Sequence, residues 1–374
     1  GPADVMGTTI RDNLRVMILA SGDLWAGAEA VVYELCRGLV HDTPAEVTAV
    51  FLNEGELSAK CRQAAIPTHI IDEKRHGFLS LVRLISGLAS QTRPQIIHAH
   101  RYKENMLALL VKPFLRQSHL VSTVHGRFDH NGGLKLKALN LANALILGHA
   151  FSAVVTVSKD LQGHLRDDVH IPESRIRCIA NGMGSFLPEH YEIMSGDFMT
   201  VGSAGRLFPV KDYPLMVDVA KEVCSRIDNA RFFLAGDGPG MQLLQDMIRN
   251  YGLGDRFILL GHVQDMEGFY RSIDVYLNTS RHEGMPMTLL EAMSHGIPVV
   301  APSVGGLKEM ITHGVEGVLV GERTAGSFAD ALIGLMRDRH AARSMGMQAR
   351  QRIEQDFSSR KMVKSYYDLY SSLF

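Results

Sequence analysis

A chain of 374 residues is too long for one ordinary hydrophobic core and fits two domains of roughly 150–200 residues each. Its hydrophobic fraction of 46%, charged fraction of 21% and net charge of −1 are ordinary for a soluble globular protein and favour no class of charged partner. Four scattered cysteines without a CxxC pair argue against a disulfide framework or a zinc site and fit a reducing compartment.

Strands and helices are predicted to alternate through the first half of the chain. An apolar run at residues 14–20 predicts a strand, which a glycine-containing turn and a helix at 28–39 follow. The alternation continues with strands at 45–52, 69–71, 95–99 and 119–124, and with helices starting near 56 and spanning 79–90 and 103–115. The apolar segment 138–157 is interrupted by polar residues, so we interpret it as a mostly buried helix running into a strand, not as a membrane span.

The pattern stops at residues 183–197, which we interpret as a linker, and then restarts. Strands are predicted at 198–204, 231–235, 257–260, 275–278, 298–301 and 317–320, with helices between them. We therefore predict two doubly wound α/β domains that face a central cleft, at residues 1–190 and 191–357. A helix at about 358–374 is predicted to cross back to the first domain. Ligands of such sheets bind beyond the carboxyl ends of the strands, so functional residues should line the cleft.

The most specific motif follows a predicted strand and opens a helix. Glu283 lies in the loop, and Glu291 lies about one turn into the helix. Free backbone N–H groups at a helix amino end bind anions, so a diphosphate would sit over Met287, Thr288 and Leu289. Both glutamates could instead be dipole partners or solvated charges.

A second loop with suitable chemistry follows the strand at 198–204. Gly205 is followed by Arg206 and Lys211, the pair of cations expected to hold a diphosphate leaving group. The alternative is a solvated loop with two common basic residues. Gly236 begins a further tight turn, Gly-Asp-Gly-Pro, which turn formation alone would explain.

Three features of the first half point to the same cleft. Gly27 lies in the loop after the first strand, where a ligand could approach or where the chain merely turns. His98 and His100 lack carboxylate or cysteine partners at ligand spacing, and no Asp-x-Asp motif is present, so we expect no metal or other cofactor. His125 ends another strand and is interpreted as a polar cleft residue.

Together these motifs resemble the retaining glycosyltransferase family four (glycosyl transferases group 1), which has the GT-B fold. The resemblance covers most of the chain and is strongest over 201–320, where the Gly205 loop, the Gly236 turn and Glu283-x7-Glu291 occur in family order. The first loop matches less well, because it has Ala26 where many members have a second glycine.

The resemblance implies a role for each motif. Arg206 and Lys211 would hold the diphosphate of a nucleotide sugar, and Glu291 would bind the ribose. Glu283 and the backbone of Gly284 to Met287, including Met285, would bind the donor sugar. His125 would face the anomeric carbon. Transfer would be metal-independent and would retain the anomeric configuration.

The donor base stays open, with uridine favoured over guanosine. The acceptor would be a hydroxyl of a glycan or lipid-linked saccharide in cell-envelope or polysaccharide biosynthesis. A nucleotide-sugar epimerase or hydrolase and a non-catalytic nucleotide-sugar-binding protein are the alternatives.

The acceptor side should lie in the first domain. Residues 98–137 hold seven basic residues against two acids, and Arg101, Lys103 and Arg127 are the candidates for contact with an acceptor. Such a surface would suit an anionic or lipid-linked acceptor at a membrane face, or it is simply a solvated helix face. We expect no nucleic-acid partner, because no aromatic residues interleave with the charges. We expect a cytoplasmic protein, with contact at the inner face of a membrane left open.

Overall fold

The computed structural model describes residues 13–115, 117–128, 133–184, 196 and 199–374. The strands are β1 Arg15–Ala20, β2 Glu46–Phe51, β3 Thr68–Ile70, β4 Ile96–Ala99, β5 His119–Val124, β6 Ala153–Thr156, β7 Ile176–Cys178, β8 Met199–Ala204, β9 Ala230–Ala235, β10 Phe257–Gly261, β11 Val275–Leu277, β12 Val299–Pro302 and β13 Gly317–Val320. The helices are α1 Gly27–Asp42, α2 Glu56–Gln63, α3 Phe78–Thr92, α4 Tyr102–Val111, α5 Leu134–Ala150, α6 Lys159–Asp167, α7 Tyr213–Arg226, α8 Met241–Asn250, α9 Met266–Arg271, α10 Met287–Ser294, α11 Leu307–Met310, α12 Ala325–Arg337, α13 Arg339–Asp356 and α14 Ser359–Ser371.

The strands form two parallel sheets, as predicted. The first sheet has the order β3-β2-β1-β4-β5-β6-β7, and the second has the order β10-β9-β8-β11-β12-β13. Central strands such as β4 are buried on both faces, which explains their continuous apolar sequence. Because crossovers between parallel strands are right-handed, this order places α1 and α2 on one face of the first sheet and α3, α4 and α5 on the other. Both sheets reverse strand order beside their first strand, which is where ligands of this fold bind.

The last helix returns to the first domain and completes its core. α14 packs on α1, and its Tyr366 and Tyr370 are buried there. The Tyr370 hydroxyl lies 2.6 Å from His98 Nδ1, and the Tyr366 hydroxyl lies 2.9 Å from the Thr123 hydroxyl. The predicted crossing helix is therefore confirmed, and His98 is a core residue that binds protein hydroxyls.

Contacts also fix one domain against the other. The Glu309 carboxylate on α11 accepts the backbone N–H groups of Lys159 and Asp160, both at 2.9 Å. These are donors that the amino end of α6 leaves without a helical partner. His282 Nε2 lies 3.0 Å from the Asp160 carboxylate. The second domain thus caps a helix of the first.

Some predictions from the sequence need correction. The segment 138–157 is not a mostly buried helix, because α5 leaves Leu139, Leu141 and Leu145 exposed. The helix predicted to reach residue 115 ends at Val111 and continues as a 3-10 turn that contains Pro113, which lacks the N–H needed to extend it. Strand β7 was not predicted, since three residues carry little periodic signal. The predicted linker falls largely outside the described residues.

Within the described residues, no helix combines the length and apolarity needed to cross a bilayer. The four cysteines are free thiols.

Candidate active site between the two domains

The loop that precedes α10 brings a buried carboxylate to a lysine. Glu283 is 9% exposed, and its Oε1 accepts hydrogen bonds from Lys211 Nζ and from the Ser280 hydroxyl, both at 2.6 Å. Lys211 itself comes from the loop after β8. Lys211 and Glu283, which were predicted from separate motifs, therefore form one ion pair. Glu283 precedes the first residue of α10 by four positions.

Glu291 lies on α10 and is held by a tyrosine. Its Oε2 accepts a hydrogen bond of 2.6 Å from the Tyr270 hydroxyl, which also lies 3.2 Å from the Thr288 carbonyl. Burial raises the pKa of Glu291, and it raises the pKa of Tyr270 well above its usual value, so the phenol remains the donor. The Tyr276 hydroxyl donates a hydrogen bond of 2.8 Å to the Thr288 hydroxyl. The first turns of α10 are thus fixed by two buried tyrosines.

Backbone segments around this helix approach too closely for side chains. A β-carbon on Gly236 would lie 1.9 Å from the Gly205 carbonyl oxygen, and both glycines have positive φ angles. A β-carbon on Gly284 would lie 2.6 Å from the His125 carbonyl oxygen, across the cleft. Packing therefore requires glycine at these three positions, and Gly284 also marks where the domains meet.

Other predicted donor residues lie around the same cleft. Gly27 opens α1, and a β-carbon there would meet the Met287 side chain at 3.9 Å. Met285, Met287 and Leu289 are buried, and the Met285 carbonyl accepts a hydrogen bond of 2.8 Å from Asn181. Arg206 is exposed, with its guanidinium 4.3 Å above the Phe208 ring. It does not join the Lys211–Glu283 pair, and it remains available to an anion.

His125 belongs to a stacked group of histidines at the ends of β4 and β5. Its Nε2 lies 3.2 Å from His100 Nδ1, and the His100 ring lies 4.2 Å from that of His98. Burial lowers the pKa of His125 to about 4 and of His98 to about 3, and it lowers that of His100 strongly. All three imidazoles are therefore neutral near pH 7, and one proton is shared between His100 and His125.

The acceptor-side cations are each paired with an acid from elsewhere in the chain. Arg101 binds the buried Glu29 at 2.5 Å, and Lys103 binds Glu73. Arg127 donates two hydrogen bonds to the Asp160 carboxylate, of 3.0 and 3.2 Å. Because acids pair with these three cations, the surface is much less basic than a count along residues 98–137 suggests.

Within the described ranges, no group of three His, Cys, Asp or Glu side chains is placed to hold a metal ion.

Two α/β domains, each built on a parallel sheet, with the candidate site in the cleft between them have the architecture of the GT-B fold. The family model for glycosyl transferases group 1 matches residues 194–352, and that for glycosyltransferase family 4 matches residues 25–183. The chain belongs to this family, whose members transfer sugars from nucleotide sugars.

Named relatives fit this family, and solved structures share the fold. N-acetyl-alpha-D-glucosaminyl L-malate synthase of Bacillus anthracis is 28% identical over 306 residues, which is 78% of each chain. An Escherichia coli UDP-Gal:alpha-D-GlcNAc-diphosphoundecaprenol alpha-1,3-galactosyltransferase is 23% identical over 84% of this chain and 88% of its own. Anabaena HepE, solved with UDP-glucose, superposes with a TM-score of 0.85 at 19% identity, covering 96% of this chain and all of HepE. Sucrose-phosphate synthase of Thermosynechococcus elongatus gives a TM-score of 0.76 at 20% identity, covering 97% and 99% of the two chains.

Several residues of the site had no signal in the sequence. Tyr270 precedes Glu291 by 21 residues, and Asn181 precedes Met285 by 104, so neither belongs to a motif. Glu29 follows Gly27 in the first turn of α1, but its pairing with Arg101 depends on the fold. Only His100 carried a hint, since it shares a strand end with His98.

Proposed function

We propose that this glycosyltransferase takes a UDP-sugar as donor, with a GDP-sugar as the alternative, and transfers the sugar with retention and without a metal ion. The observation that carries the proposal is the meeting of the Lys211–Glu283 pair and the Tyr270–Glu291 pair around α10. A diphosphate at the amino end of this helix would lie between them. Relatives named for UDP-galactose and GDP-mannose donors support both bases.

In the proposed reaction, charge develops on the departing diphosphate. Lys211 and Arg206 stabilise that charge, and removing one such group from an active site typically costs about 3–4 kcal/mol of transition-state stabilisation. The bond from the anomeric carbon to phosphate oxygen breaks, and the acceptor oxygen attacks from the same face. The acceptor hydroxyl proton passes to the departing phosphate oxygen. Neutral His125 faces the sugar and offers a hydrogen bond without a competing positive charge.

The acceptor is proposed to be a hydroxyl of a glycan or lipid-linked saccharide. Relatives named for diphosphoundecaprenol and phosphatidylinositol mannoside substrates support this class. Since Arg101, Lys103 and Arg127 are already paired with acids, they would contact acceptor hydroxyls more readily than acceptor phosphates. The same proposal places the enzyme in the cytoplasm, in peripheral contact with the inner face of a membrane.

The test is turnover of UDP- and GDP-sugars with and without a panel of saccharide acceptors. We expect nucleotide release that depends on the acceptor and is equally fast in EDTA. NMR of the product should show the same anomeric configuration as in the donor sugar. Nucleotide release without any glycoside product would support a hydrolase instead. Donor binding without turnover would support a binding protein. Inversion of the anomeric centre, or loss of activity in EDTA, would refute those parts of the proposal.

A further inference from the structure

The outer face of the first domain is apolar in a way that its other face is not. Helices α3, α4 and α5 pack side by side on this face, with α4 in the middle. Half of the large apolar side chains exposed in the described chain lie on these helices or on the turn after α4. They are Phe78, Leu79, Leu84, Leu110, Phe114, Leu139, Leu141 and Leu145. We name this set the α3–α5 face. Helices α1 and α2, on the opposite side, expose none.

The exposure is substantial and follows the helix period. Leu79 is 81% exposed, Phe114 65%, Leu141 63% and Leu145 54%. Leu141 and Leu145 are four residues apart and so lie on one side of α5. Monomeric proteins rarely leave a large contiguous apolar patch in water, which indicates that this surface is covered in use.

Charge on the same helices has one sign at the surface. Arg83 on α3 and Lys135 and Lys137 on α5 are exposed. The single acid in the three helices is Glu104, which is 1% exposed. Burial raises the pKa of Glu104 to about 7, which further weakens its negative charge. By contrast, α1 and α2 carry Glu and Asp residues along with their basic ones.

We propose that the α3–α5 face docks on an anionic lipid bilayer. Exposed leucines and phenylalanines would enter the interfacial region, and lysines would meet the lipid phosphates. An anionic bilayer supplies both an apolar region for the leucines and phenylalanines and phosphates for the lysines. A protein partner would have to combine an apolar surface with acidic residues. The proposal extends the proposed function, because a lipid-linked acceptor would lie in the same bilayer beside the cleft.

The test is co-sedimentation with vesicles of phosphatidylcholine alone and of phosphatidylcholine mixed equally with phosphatidylglycerol, without donor or acceptor. We expect binding only to the mixed vesicles, weakened by salt. The double variant Leu141→Ser/Leu145→Ser should bind roughly tenfold more weakly or worse. Lys135→Ser/Lys137→Ser should lose roughly 30-fold, because each basic residue near an anionic surface adds about 1 kcal/mol. Activity on a water-soluble acceptor should be unchanged in both variants.

The matched control is Leu243→Ser on α8 of the second domain, where the leucine is also 54% exposed. It should bind vesicles like the wild type. The proposal is overturned if the wild type ignores anionic vesicles or if Leu243→Ser weakens binding as much as the α5 variant. Self-association that Leu141→Ser/Leu145→Ser abolishes, without vesicle binding, would instead show that a second copy covers this face. Because no donor is present, failure here removes the proposed membrane contact but leaves the proposed sugar-transfer reaction standing.

A separate observation concerns the residue that follows Lys211. Asp212 has a φ of +51°, which side chains rarely adopt and glycine adopts freely. It is 12% exposed, and its carboxylate accepts a hydrogen bond of 2.6 Å from Arg323 Nη2. Arg281 Nε lies 3.3 Å from the same oxygen. A strained residue kept in place by charged partners indicates that its carboxylate is used.

Arg323 connects three loops at the cleft. Besides binding Asp212, its Nη2 donates to the Thr279 carbonyl at 2.9 Å. The Thr279 hydroxyl in turn donates to the Lys211 carbonyl at 3.1 Å. Arg323 follows β13, Lys211 follows β8 and Thr279 follows β11, so one guanidinium ties the loop of Lys211 to the loop that carries Glu283.

We infer that Arg323 is a positioning residue that, through Asp212, holds Lys211 in register with Glu283. The inference rests on the proposed function, since it takes Lys211 as a ligand of the diphosphate. Small displacements of a positioned group can cost about a hundredfold in rate. Arg323 is therefore expected to matter for turnover without touching the donor.

The test uses Asp212→Gly, which removes the carboxylate and relieves the backbone. We expect its Tm to equal or exceed that of the wild type, while kcat/KM and UDP affinity fall roughly tenfold to a hundredfold. Arg323→Met should behave alike, Arg323→Lys should recover part of the loss, and the double variant should be no worse than either single one. Wild-type kcat/KM in Asp212→Gly would overturn this role alone. A wild type that neither binds UDP or GDP nor turns over donors would remove the proposed function and this role together.

Discussion

Replacing Tyr270 by phenylalanine should weaken donor binding through Glu291. The variant keeps the buried ring but removes the hydroxyl that donates to the Glu291 carboxylate at 2.6 Å. Glu291 then has to be ordered when the donor binds, and immobilising one flexible side chain costs about 0.5–1.5 kcal/mol. We therefore expect roughly fivefold weaker binding of the nucleotide, or about 1 kcal/mol.

Glu291→Ala should lose more, because it removes the carboxylate that is proposed to bind the ribose. A hydrogen bond to a charged group is worth about 1.5–3 kcal/mol, so the loss should exceed tenfold. The double variant should resemble Glu291→Ala alone, since Tyr270 acts only through that carboxylate. Isothermal titration calorimetry with UDP and GDP measures all three affinities.

Tyr251→Phe provides the control. Its hydroxyl donates to the Asp218 carboxylate at 2.9 Å on the far side of the same domain, so the chemistry is alike and the location differs. Nucleotide affinity should not change in this variant. The reasoning is refuted if Tyr270→Phe binds like the wild type, or if it weakens binding equally when Glu291 is already alanine.

Three further predictions concern the meeting of the domains. Gly284→Ala should lower kcat/KM at least about tenfold, because its β-carbon would lie 2.6 Å from the His125 carbonyl oxygen and hold the domains apart. The control Gly163→Ala, which has open space around it on α6, should be neutral or stabilising, and equal kcat/KM in the two variants would contradict the prediction. Because the pKa of His125 is lowered to about 4, protonation of His125 should reduce kcat/KM only as the pH approaches 4, and not near pH 6.5. A decrease of kcat/KM below about pH 6.5 that disappears in His125→Gln would count against a neutral imidazole. Glu309→Ala should lower the free energy of unfolding in urea by about 1 kcal/mol, because two N–H groups of α6 lose their acceptor; an unchanged transition would show that the cap contributes nothing.

The sequence was sufficient to predict the two-sheet architecture and the crossing of the last helix. Buried parallel strands are continuous apolar runs, so β1, β4 and β5 were visible as strands and their alternation with helices implied a parallel order. Motif glycines were also visible, because the close approach of Gly205 and Gly236 admits no other residue. Local backbone constraints leave a local record in the sequence.

Side-chain contacts between distant segments could not be predicted in this way. A count along the chain made the region of Arg101 and Lys103 basic, whereas the fold brings Glu29 and Glu73 to neutralise them. The apolar sequence of α5 predicts burial, yet its leucines are exposed, because hydrophobicity along one helix does not reveal whether a neighbour covers it. Tertiary contact decides both charge and burial, and a single sequence does not state which segments meet.

The position of α14 also bears on how the protein is made. The strands of the first sheet leave the ribosome early, but the helix that covers α1 and contacts His98 is synthesised only after the whole second domain. The second domain is thus translated between two parts of the first and has the opportunity to fold first, since domains generally fold as units during synthesis. The first domain can therefore complete its core only after the second domain has been synthesised.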